Sequence, residues 1–468
     1  LAVLAAVQDG FLDLDEPIST YLPDFSVNSI FDASPGSVIT LRHLLSHRAG
    51  FTHEAPFGSN FDDRVDFVRH VRSISSTWLR YPVGHRHAYS NLGYDLAAYI
   101  LERRSGQPFA AFVEERILRP LGMRSSSLDM EAIRARRNRA TGHRRDNAEI
   151  PLEIPMIGAG GVYSNIADMA AYLQFHINMG VVDGRRLLRE DLMEEMHRIQ
   201  FALAGQRSGY CLGVLRDPSS GDYVVYHSGR GYGFQSEMLI HPKKKLGFVL
   251  LTNLANHEIS GWRIRSRIQE MLAPVFGATP VDPDGAARMT AVPSNDPRVT
   301  AVIGLYGAWD VCRIFTAEGE AKLEFNGGGD LYPLRFYSDG SELVGLFGNN
   351  SEVRFLAAIP GRRPPLTEVN RRLGNVGFHV FDFNDSPDDP PGPGLERWRS
   401  YVGEYDTLVY GEPDDLYAVE IRNGHLYFGE SRCRELEPGL FFTFDGQVLD
   451  LRSDVPSYAN IPLRKRPD

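Results

Sequence analysis

Apolar residues in the first 276 positions recur mostly at helical spacing. Leu1, Val3, Leu4 and Val7 share one face of a helix, with Gly10 where its C-cap would sit. Thr40 reads as the N-cap of a helix that holds Leu41, Leu44 and Leu45 and stops at Gly50. Asn91 precedes another, with Leu92, Leu96, Tyr99 and Ile100 on one side and Gly106 after it. Ile166, Met169, Ala170, Leu173 and Ile177 mark a third, closed by Gly180. The period then changes. Residues 223–226, 234–240 and 246–251 read as adjacent strands, the last two joined by a turn whose lysines, 243–245, suit a solubilising edge. A helix with Trp262, Ile264, Ile268 and Leu272 can cover one face of that sheet, giving an α-plus-antiparallel-sheet domain over residues 1–276.

Residues 277–298, rich in Pro, Asp and Ala without apolar period, read as a linker. Everything beyond is β in character. Leu305-Tyr306-Gly307-Ala308-Trp309-Asp310 matches Tyr401-Val402-Gly403-Glu404-Tyr405-Asp406, and each copy is followed by an Asn-Gly pair suited to a hairpin turn, Asn326-Gly327 and Asn423-Gly424. The near-constant offset predicts a duplicated module: two antiparallel barrels over 299–383 and 395–468, with a Pro- and Asp-rich breaker over 384–394. One barrel formed from two halves is the alternative.

Composition narrows the function classes. Fifty basic against 60 acidic residues leave a net charge of −10, which disfavours a nucleic-acid partner, and the six arginines of 134–145 have no aromatic interleaving. No apolar run is long enough to span a bilayer. Cys211, Cys312 and Cys433 lie far apart and suit small buried hydrophobes rather than a disulfide framework or zinc site. The helix at Leu1 has no capping residue or lead-in, so the sequence is expected to start inside a longer protein, and a signal peptide is neither indicated nor excluded.

Two short motifs carry chemistry. In Tyr89-Ser90-Asn91, set ahead of a helix, the hydroxyl can accept a proton if a cation lowers its pKa, while the amide donates to a substrate carbonyl. The plain alternative is a packing tyrosine beside an Asn helix cap. In His227-Ser228-Gly229, at the end of the strand 224–226, the small residues let a substrate lie along the strand edge, and the backbone N–H of Arg230 can serve as an oxyanion donor. Its plain alternative is a capped strand end with a satisfied histidine. His43 and His47, spaced i, i+4, could hold a metal, but no Glu follows the first, so no metal is expected. His53-Glu54 and His85-x-His87 read as solvated loop pairs flanking the cleft.

The company of these motifs resembles the penicillin-recognising, β-lactamase-like serine hydrolases (class C type). The matching stretches, in the family's order, are residues 4–18 with Tyr21-Leu22-Pro23, residues 39–47 with Gly50, Tyr89-Ser90-Asn91-Leu92-Gly93-Tyr94, Pro120-Leu121-Gly122-Met123, Gly160-Gly161-Val162-Tyr163-Ser164 with Asp168, His227-Ser228-Gly229 and Leu250-Leu251-Thr252-Asn253. The resemblance implies an α+β fold: a β-lactamase/transpeptidase-like catalytic domain, an antiparallel sheet with helices, followed by the two small antiparallel barrels. Tyr89 and Asn91 match the family's Y-x-N, and His227 with Gly229 its third motif in the H-x-G form. The first motif, S-x-x-K, is absent, since no lysine precedes Lys243. The family places it just upstream of the Leu1 helix, so truncation is the expected reason.

Acyl transfer is the implied chemistry, with Tyr89, Asn91 and His227 as catalytic residues and Gly229 and Arg230 at the oxyanion and substrate positions. A histidine at 227, largely neutral near pH 7, makes a permanent carboxylate anchor less suitable than the family's usual lysine would. H-x-G with two trailing barrels looks most like the D-stereospecific aminopeptidases, in which a loop of the last barrel limits substrate size; residues 406–416 are the candidate, or an ordinary hairpin. A carboxylesterase or β-lactamase of the same family is the second reading, and a non-catalytic binding or sensor protein the third. The expected partner is a small molecule or short peptide, with no cofactor, no nucleic acid and no membrane. A homodimer, and the choice between cytoplasm and periplasm, are left open.

Overall fold

The computed structural model describes residues 1–58, 65–84, 87–143, 157–201, 208–219, 222–231 and 233–254, separate helical residues between 264 and 275, and most of 290–467. Within that last stretch 302, 308–310, 318, 326–330, 339–342, 348–350, 356–366, 371–378, 386–390, 410–411, 430 and 444–446 are outside the description. The chain forms two compact units that divide between residues 281 and 282, except that residues 86–88 group with the second.

In the first unit, helices α1 (Ala2–Gln8), α2 (Leu41–Leu45), α3 (Phe67–Ser73), α4 (Asn91–Ser105), α5 (Phe109–Val113), α6 (Met130–Arg134), α7 (Ile157–Gly160), α8 (Ile166–Ile177) and α9 (Glu190–Met196) surround one apolar core. That core buries Leu4 of α1, Leu41 and Leu44 of α2, Leu92, Leu96 and Ile100 of α4, and Phe112 of α5. The 3.6-residue period of α4 therefore does what it predicts, and Gly106, left-handed at φ 74°, ends the helix. Ser90, not Asn91, occupies its N-cap position. The helix after Thr40 is shorter than its pattern suggests. Thr40 and His43 form a reciprocal capping box at its start. It then ends at Leu45, because His47 at φ 55° turns the chain aside before Gly50 is reached. His43 and His47 therefore do not share a helix face.

Gly50 has a separate task. It sits at φ 84°, and a Cβ there would lie 2.4 Å from the Tyr81 carbonyl oxygen. Gly10, at φ 78°, has open space around it. Gly50→Ala is thus expected to cost about 2 kcal/mol or more, and Gly10→Ala about 1, read as the difference between their thermal midpoints. Equal losses would show that steric room at Gly50 contributes nothing.

After the two-residue strands β1 (Val181–Val182) and β2 (Arg185–Arg186), the strands β3 (Gly209–Tyr210), β4 (Leu215–Ser219), β5 (Asp222–Gly231), β6 (Phe234–His241) and β7 (Leu246–Thr252) pair antiparallel in that order. Alternation sends Val225 and Ile240 to one face, where they pack with Leu173 of α8, and Val224, Tyr226 and Leu239 to the other. The expected strand end at Tyr226 is overrun. Strand β5 continues to Gly231, because residues 227–231 pair with 234–238 of β6. Its other neighbour, β4, stops opposite Tyr226, so that edge of 227–231 has no partner strand among the described residues. In the β6–β7 turn, Lys245 donates from Nζ to the Ile177 carbonyl at 2.6 Å, closing the C-terminal end of α8 as well as carrying charge. The helix expected around Trp262 lies largely outside the described residues.

The second unit holds two antiparallel sheets. Strands β8 (Thr290–Val292), β9 (Gly304–Gly307), β10 (Val311–Ala317), β11 (Glu320–Phe325), β12 (Leu331–Ser338), β13 (Leu343–Phe347), β14 (Ser351–Phe355), β15 (Thr367–Asn370) and β16 (His379–Asp385) form the first. From β9 to β16 the chain meanders, β16 returns to pair with β9, and β11 pairs with β12, so the sheet closes on itself as a barrel. Strand β8 joins the edge of β12, which places a strand inside the region read as linker. The second sheet runs β17 (Gly403–Val409), β18 (Glu412–Arg422), β19 (His425–Phe428), β20 (Ser431–Arg432), β21 (Arg434–Glu437), β22 (Leu440–Phe442), β23 (Val448–Asp450), β24 (Ser457–Tyr458) and β25 (Ile461–Lys465). Here β25 pairs back onto β17, in a nearly closed barrel around Trp398, Tyr405, Phe428 and Phe441. Asn423 and Gly424, at φ 49° and 77°, make the β18–β19 turn as expected. Asn326-Gly327 falls after the third strand of its barrel and outside the described residues, so the two repeats match in spacing but not in strand count. Residues 406–416 span the β17–β18 hairpin, where Thr407 Oγ1 binds both the backbone N–H and carbonyl of Asp415. The chain is thus an α+β protein with two antiparallel barrels after its helical and sheet domain.

Candidate active site

The left-handed turn at His47 sends its ring under the entrance of α4. There it lies against Tyr89, Tyr94 and Tyr210, with ring centroids 4.1, 5.0 and 4.6 Å away. The backbone N–H of Ser90 donates to His47 Nδ1 at 3.1 Å, and Ser90 Oγ donates to the Thr52 carbonyl at 2.5 Å. These bonds hold the peptide between Tyr89 and Asn91 in place. The Tyr94 hydroxyl donates to the Leu45 carbonyl at 2.6 Å, fastening α4 to the end of α2.

Asn91 points its amide at Glu54, with Nδ2 to Oε1 at 3.4 Å. His53 Nδ1 meets the same oxygen at 2.6 Å, and the His53 ring stacks on Tyr89 at 5.7 Å. Glu54 is only 3% exposed, so the pair read as solvated is in fact folded against the Tyr-x-Asn segment. A carboxylate that would be hydrated in an open loop is here held by charge-assisted donors instead. Burial, then the charges of Glu54 and Asp95, push the Tyr89 phenol up to about 12. The lowered pKa that a proton-accepting tyrosine needs is therefore not produced by these neighbours. A cation beside it would have to reverse the shift.

His227 leaves β5 on the face that carries Val225 and reaches Tyr210, whose hydroxyl lies 3.0 Å from His227 Nε2. The same hydroxyl lies 3.0 Å from His47 Nε2. Burial holds His227 at about 4, so it is neutral near pH 7. Gly229 faces Ser236, where a Cβ would meet the Ser236 hydroxyl oxygen at 2.4 Å. Gly229 and Arg230 both lie on the stretch of β5 whose outer edge has no partner strand among the described residues.

Tyr89, Asn91 and His227 are thus linked through His47, which the sequence offered only as a metal ligand, and Tyr210, which no sequence motif singled out. Tyr210 sits on a two-residue strand, too short for any alternation to show. Asp168, part of the ordered motif set, accepts from the Ser125 N–H at 2.7 Å and from Ser126 Oγ at 2.8 Å, which is a scaffold contact. His43 closes the capping box of α2 and stacks on Phe201 at 5.0 Å. Of the pair His85-x-His87, His85 lies outside the described residues.

In construction this is an α+β hydrolase scaffold, and the crystal structure of SurE shares the fold, with a TM-score of 0.55 over 82% of this chain and 84% of that one at 22% identity. The chain belongs to the β-lactamase family, whose model matches residues 1–264. Among curated proteins it is 30% identical over 262 residues to the D-alanyl-D-alanine-carboxypeptidase/endopeptidase AmpH of Escherichia coli (strain K12), across 53% of this chain and 66% of AmpH. It is 22% identical over 260 residues to protein flp of Staphylococcus aureus (strain COL), across 54% of this chain and 50% of flp. The match thus spans between half and two thirds of these relatives' length. No helix among the described residues is long and apolar enough to cross a membrane.

Proposed function

We propose that this chain is the larger part of a serine hydrolase that transfers an acyl group to water through an acyl-enzyme, acting as a D-aminopeptidase or amidase on small peptides or amides. The nucleophile and its lysine come, in this reading, from a Ser-x-x-Lys segment that the sequence does not contain. The serine attacks the substrate carbonyl, and the lysine supplies the cation that brings the Tyr89 phenol down from about 12 so that the pair can move the proton. Asn91 orients the substrate, and the Arg230 N–H, on the part of β5 beyond the end of its β4 pairing, helps hold the oxyanion beside Gly229.

The observation that carries this reading is the hydrogen-bonded link from Ser90 through His47 and Tyr210 to His227, which holds the Tyr-x-Asn entrance and the His-x-Gly strand together. A His227 that stays neutral gives no fixed charge for a substrate carboxylate, which favours neutral amides over penicillin-like acids. AmpH, named as a D-alanyl-D-alanine-carboxypeptidase/endopeptidase, supports a D-peptide substrate.

The test uses a protein in which a Ser-x-x-Lys segment precedes Leu1, assayed against D- and L-alanine p-nitroanilides. Preferential turnover of the D-anilide is expected, and Tyr89→Phe is expected to lower kcat/KM about 10²- to 10⁴-fold. Absence of D-preference overturns the aminopeptidase assignment, and short-chain ester turnover without amide turnover replaces it with a carboxylesterase. The 468-residue chain alone is expected to show no acyl-enzyme burst; a burst would mean a nucleophile of another kind.

A further inference from the structure

Two hydrogen bonds meet on one carboxylate oxygen, and the chemistry of the partners fixes the direction of both. Glu54 Oε1 lies 3.4 Å from Asn91 Nδ2 and 2.6 Å from His53 Nδ1. An amide nitrogen only donates, and an Asn91 amide turned over would set its oxygen against the carboxylate, acceptor against acceptor. Between Nδ1 and Oε1 at this distance a proton has to lie. Imidazole is the stronger base of the two, so that proton is on His53. A His53 ring turned over would bring a carbon to the oxygen instead. The nitrogen of the Asn91 amide and Nδ1 of His53 therefore both face Glu54 as donors.

Glu54 is itself held. Thr52 Oγ1 donates to the Glu54 backbone carbonyl at 3.0 Å, and Ser90 Oγ donates to the Thr52 carbonyl at 2.5 Å. The loop 52–54 is thus fastened to the residue between Tyr89 and Asn91, and its carboxylate returns from there to the Asn91 amide. The His53 ring that the same oxygen holds lies stacked on Tyr89.

We propose that Glu54 is a positioning residue of the active site, one carboxylate oxygen fixing both the Asn91 amide and the His53 imidazole against the Tyr-x-Asn segment. The inference rests on the assignment of Asn91 to the site, and it defines what that residue offers a substrate. The two ends of an asparagine amide have nearly the same shape, so an amide that is not held can present either a donor or an acceptor. A residue that orients a substrate has to present one arrangement. With Nδ2 held by Glu54, Oδ1 is turned the other way and one N–H remains beside it. Asn91 thus offers an acceptor and a donor in fixed directions, where the sequence motif suggested a donor alone.

The first test reads side-chain nitrogens and needs no turnover, so failure of the hydrolase reading and failure of this proposal are separate results. ¹H–¹⁵N NMR on the 468-residue protein near pH 7, with signals assigned by Asn91→Asp and His53→Gln, is expected to show an Asn91 Nδ2 proton protected from solvent exchange. It is expected to show His53 protonated at Nδ1. Glu54→Gln keeps the size of the side chain but offers an N–H as well as an oxygen. In that variant the Asn91 protection is expected to be lost and His53 to show a mixture of tautomers, while the methyl signals of the α4 core residues Leu92 and Leu96 stay in place. A parent protein with the His53 proton on Nε2 alone, or with an Asn91 amide in rapid exchange, overturns the proposal. So does a folded Glu54→Gln with unchanged Asn91 and His53 signals. If Glu54→Gln does not fold, the parent spectrum alone decides. In the protein completed with a Ser-x-x-Lys segment, Glu54→Gln is expected to lower kcat/KM for D-alanine p-nitroanilide about tenfold, and Asn91→Ala to cost less in that background than alone. Losses that simply multiply overturn the positioning role, whereas a completed protein without turnover overturns the hydrolase reading and leaves the NMR result to decide.

Discussion

Asp95→Ala is expected to lower the unfolding free energy of the first unit by about 3–5 kcal/mol, the range for removing one partner of a buried, hydrogen-bonded charge pair. Asp95 lies on α4, one turn after Asn91, with no exposed surface. Its Oδ2 is 3.0 Å from His70 Nε2, and its Oδ1 accepts from the backbone N–H groups of Gly158 and Ala159 at 2.9 and 3.1 Å. His70 in turn donates from Nδ1 to the Phe57 carbonyl at 2.6 Å. One carboxylate therefore joins α3, α4 and the start of α7, and its loss leaves the buried His70 donor and two half-buried backbone N–H groups without this acceptor. Burial works against a charge on His70, but the hydrogen bond and charge of Asp95 outweigh it and raise His70 above its ordinary value. Asp95→Asn separates the terms. Its amide keeps an oxygen for Gly158 and Ala159 and offers an N–H to a neutral His70, so the expected loss is less than half that of alanine. Urea denaturation of both variants checks this, and equal losses would falsify the assignment of stability to the ion pair.

Acid is expected to weaken the first unit well before most carboxylates titrate. His176 on α8 and His197 after α9 are fully buried and stacked, with centroids 5.2 Å apart and Nδ1 of one 2.9 Å from Nε2 of the other. Burial, and then the Arg216 charge, hold His197 at about 4, and burial with His197 holds His176 well below its ordinary value. The unfolded chain binds a proton at each near pH 6.5, while the folded chain refuses it at His197 until about pH 4 and at His176 until well below its ordinary range. Their contribution is therefore fully present above pH 6.5 and lost as the pH falls through that window. For His197 alone the loss between pH 7 and 4.5 is about 2–3 kcal/mol. His43 and His227, both held at about 4, act in the same sense. His70, whose value is raised, acts in the opposite sense and loses its contribution as the pH rises. His197→Gln places an amide near the Nε2 position without a titrating group, so its urea stability is expected to fall less steeply with acid. A parent protein equally stable at pH 7 and 4.5 rules the explanation out.

Much of the scaffold was legible because it depends on neighbours in sequence. Leu92, Leu96 and Ile100 mark the buried side of α4, and alternation marks β5 to β7, since each element must bury one face. Errors came where distant contacts overrode local preference. Gly50 suggested a helix end, but His47 took the left-handed turn first, because its ring is drawn into the tyrosine cluster. His227-Ser228-Gly229 suggested a strand end, yet pairing with β6 carries the strand through it. His53-Glu54 looked solvated because nothing nearby in sequence covers it; Tyr89 and Asn91 do so in the fold. The closure of the first barrel by β11 and β12 follows from sheet curvature, which no short pattern encodes.

The sequence by itself determined the ordered motifs that place this chain in the β-lactamase family, the absence of any lysine before Lys243, and the β character of everything after residue 298. Only the tertiary structure decided how Tyr89, Asn91 and His227 are connected. The bonds Ser90–His47, His47–Tyr210 and Tyr210–His227 join residues 43, 163 and 17 positions apart. Each depends on the direction of a ring set by packing, and periodicity along a chain carries no record of which nitrogen meets which hydroxyl.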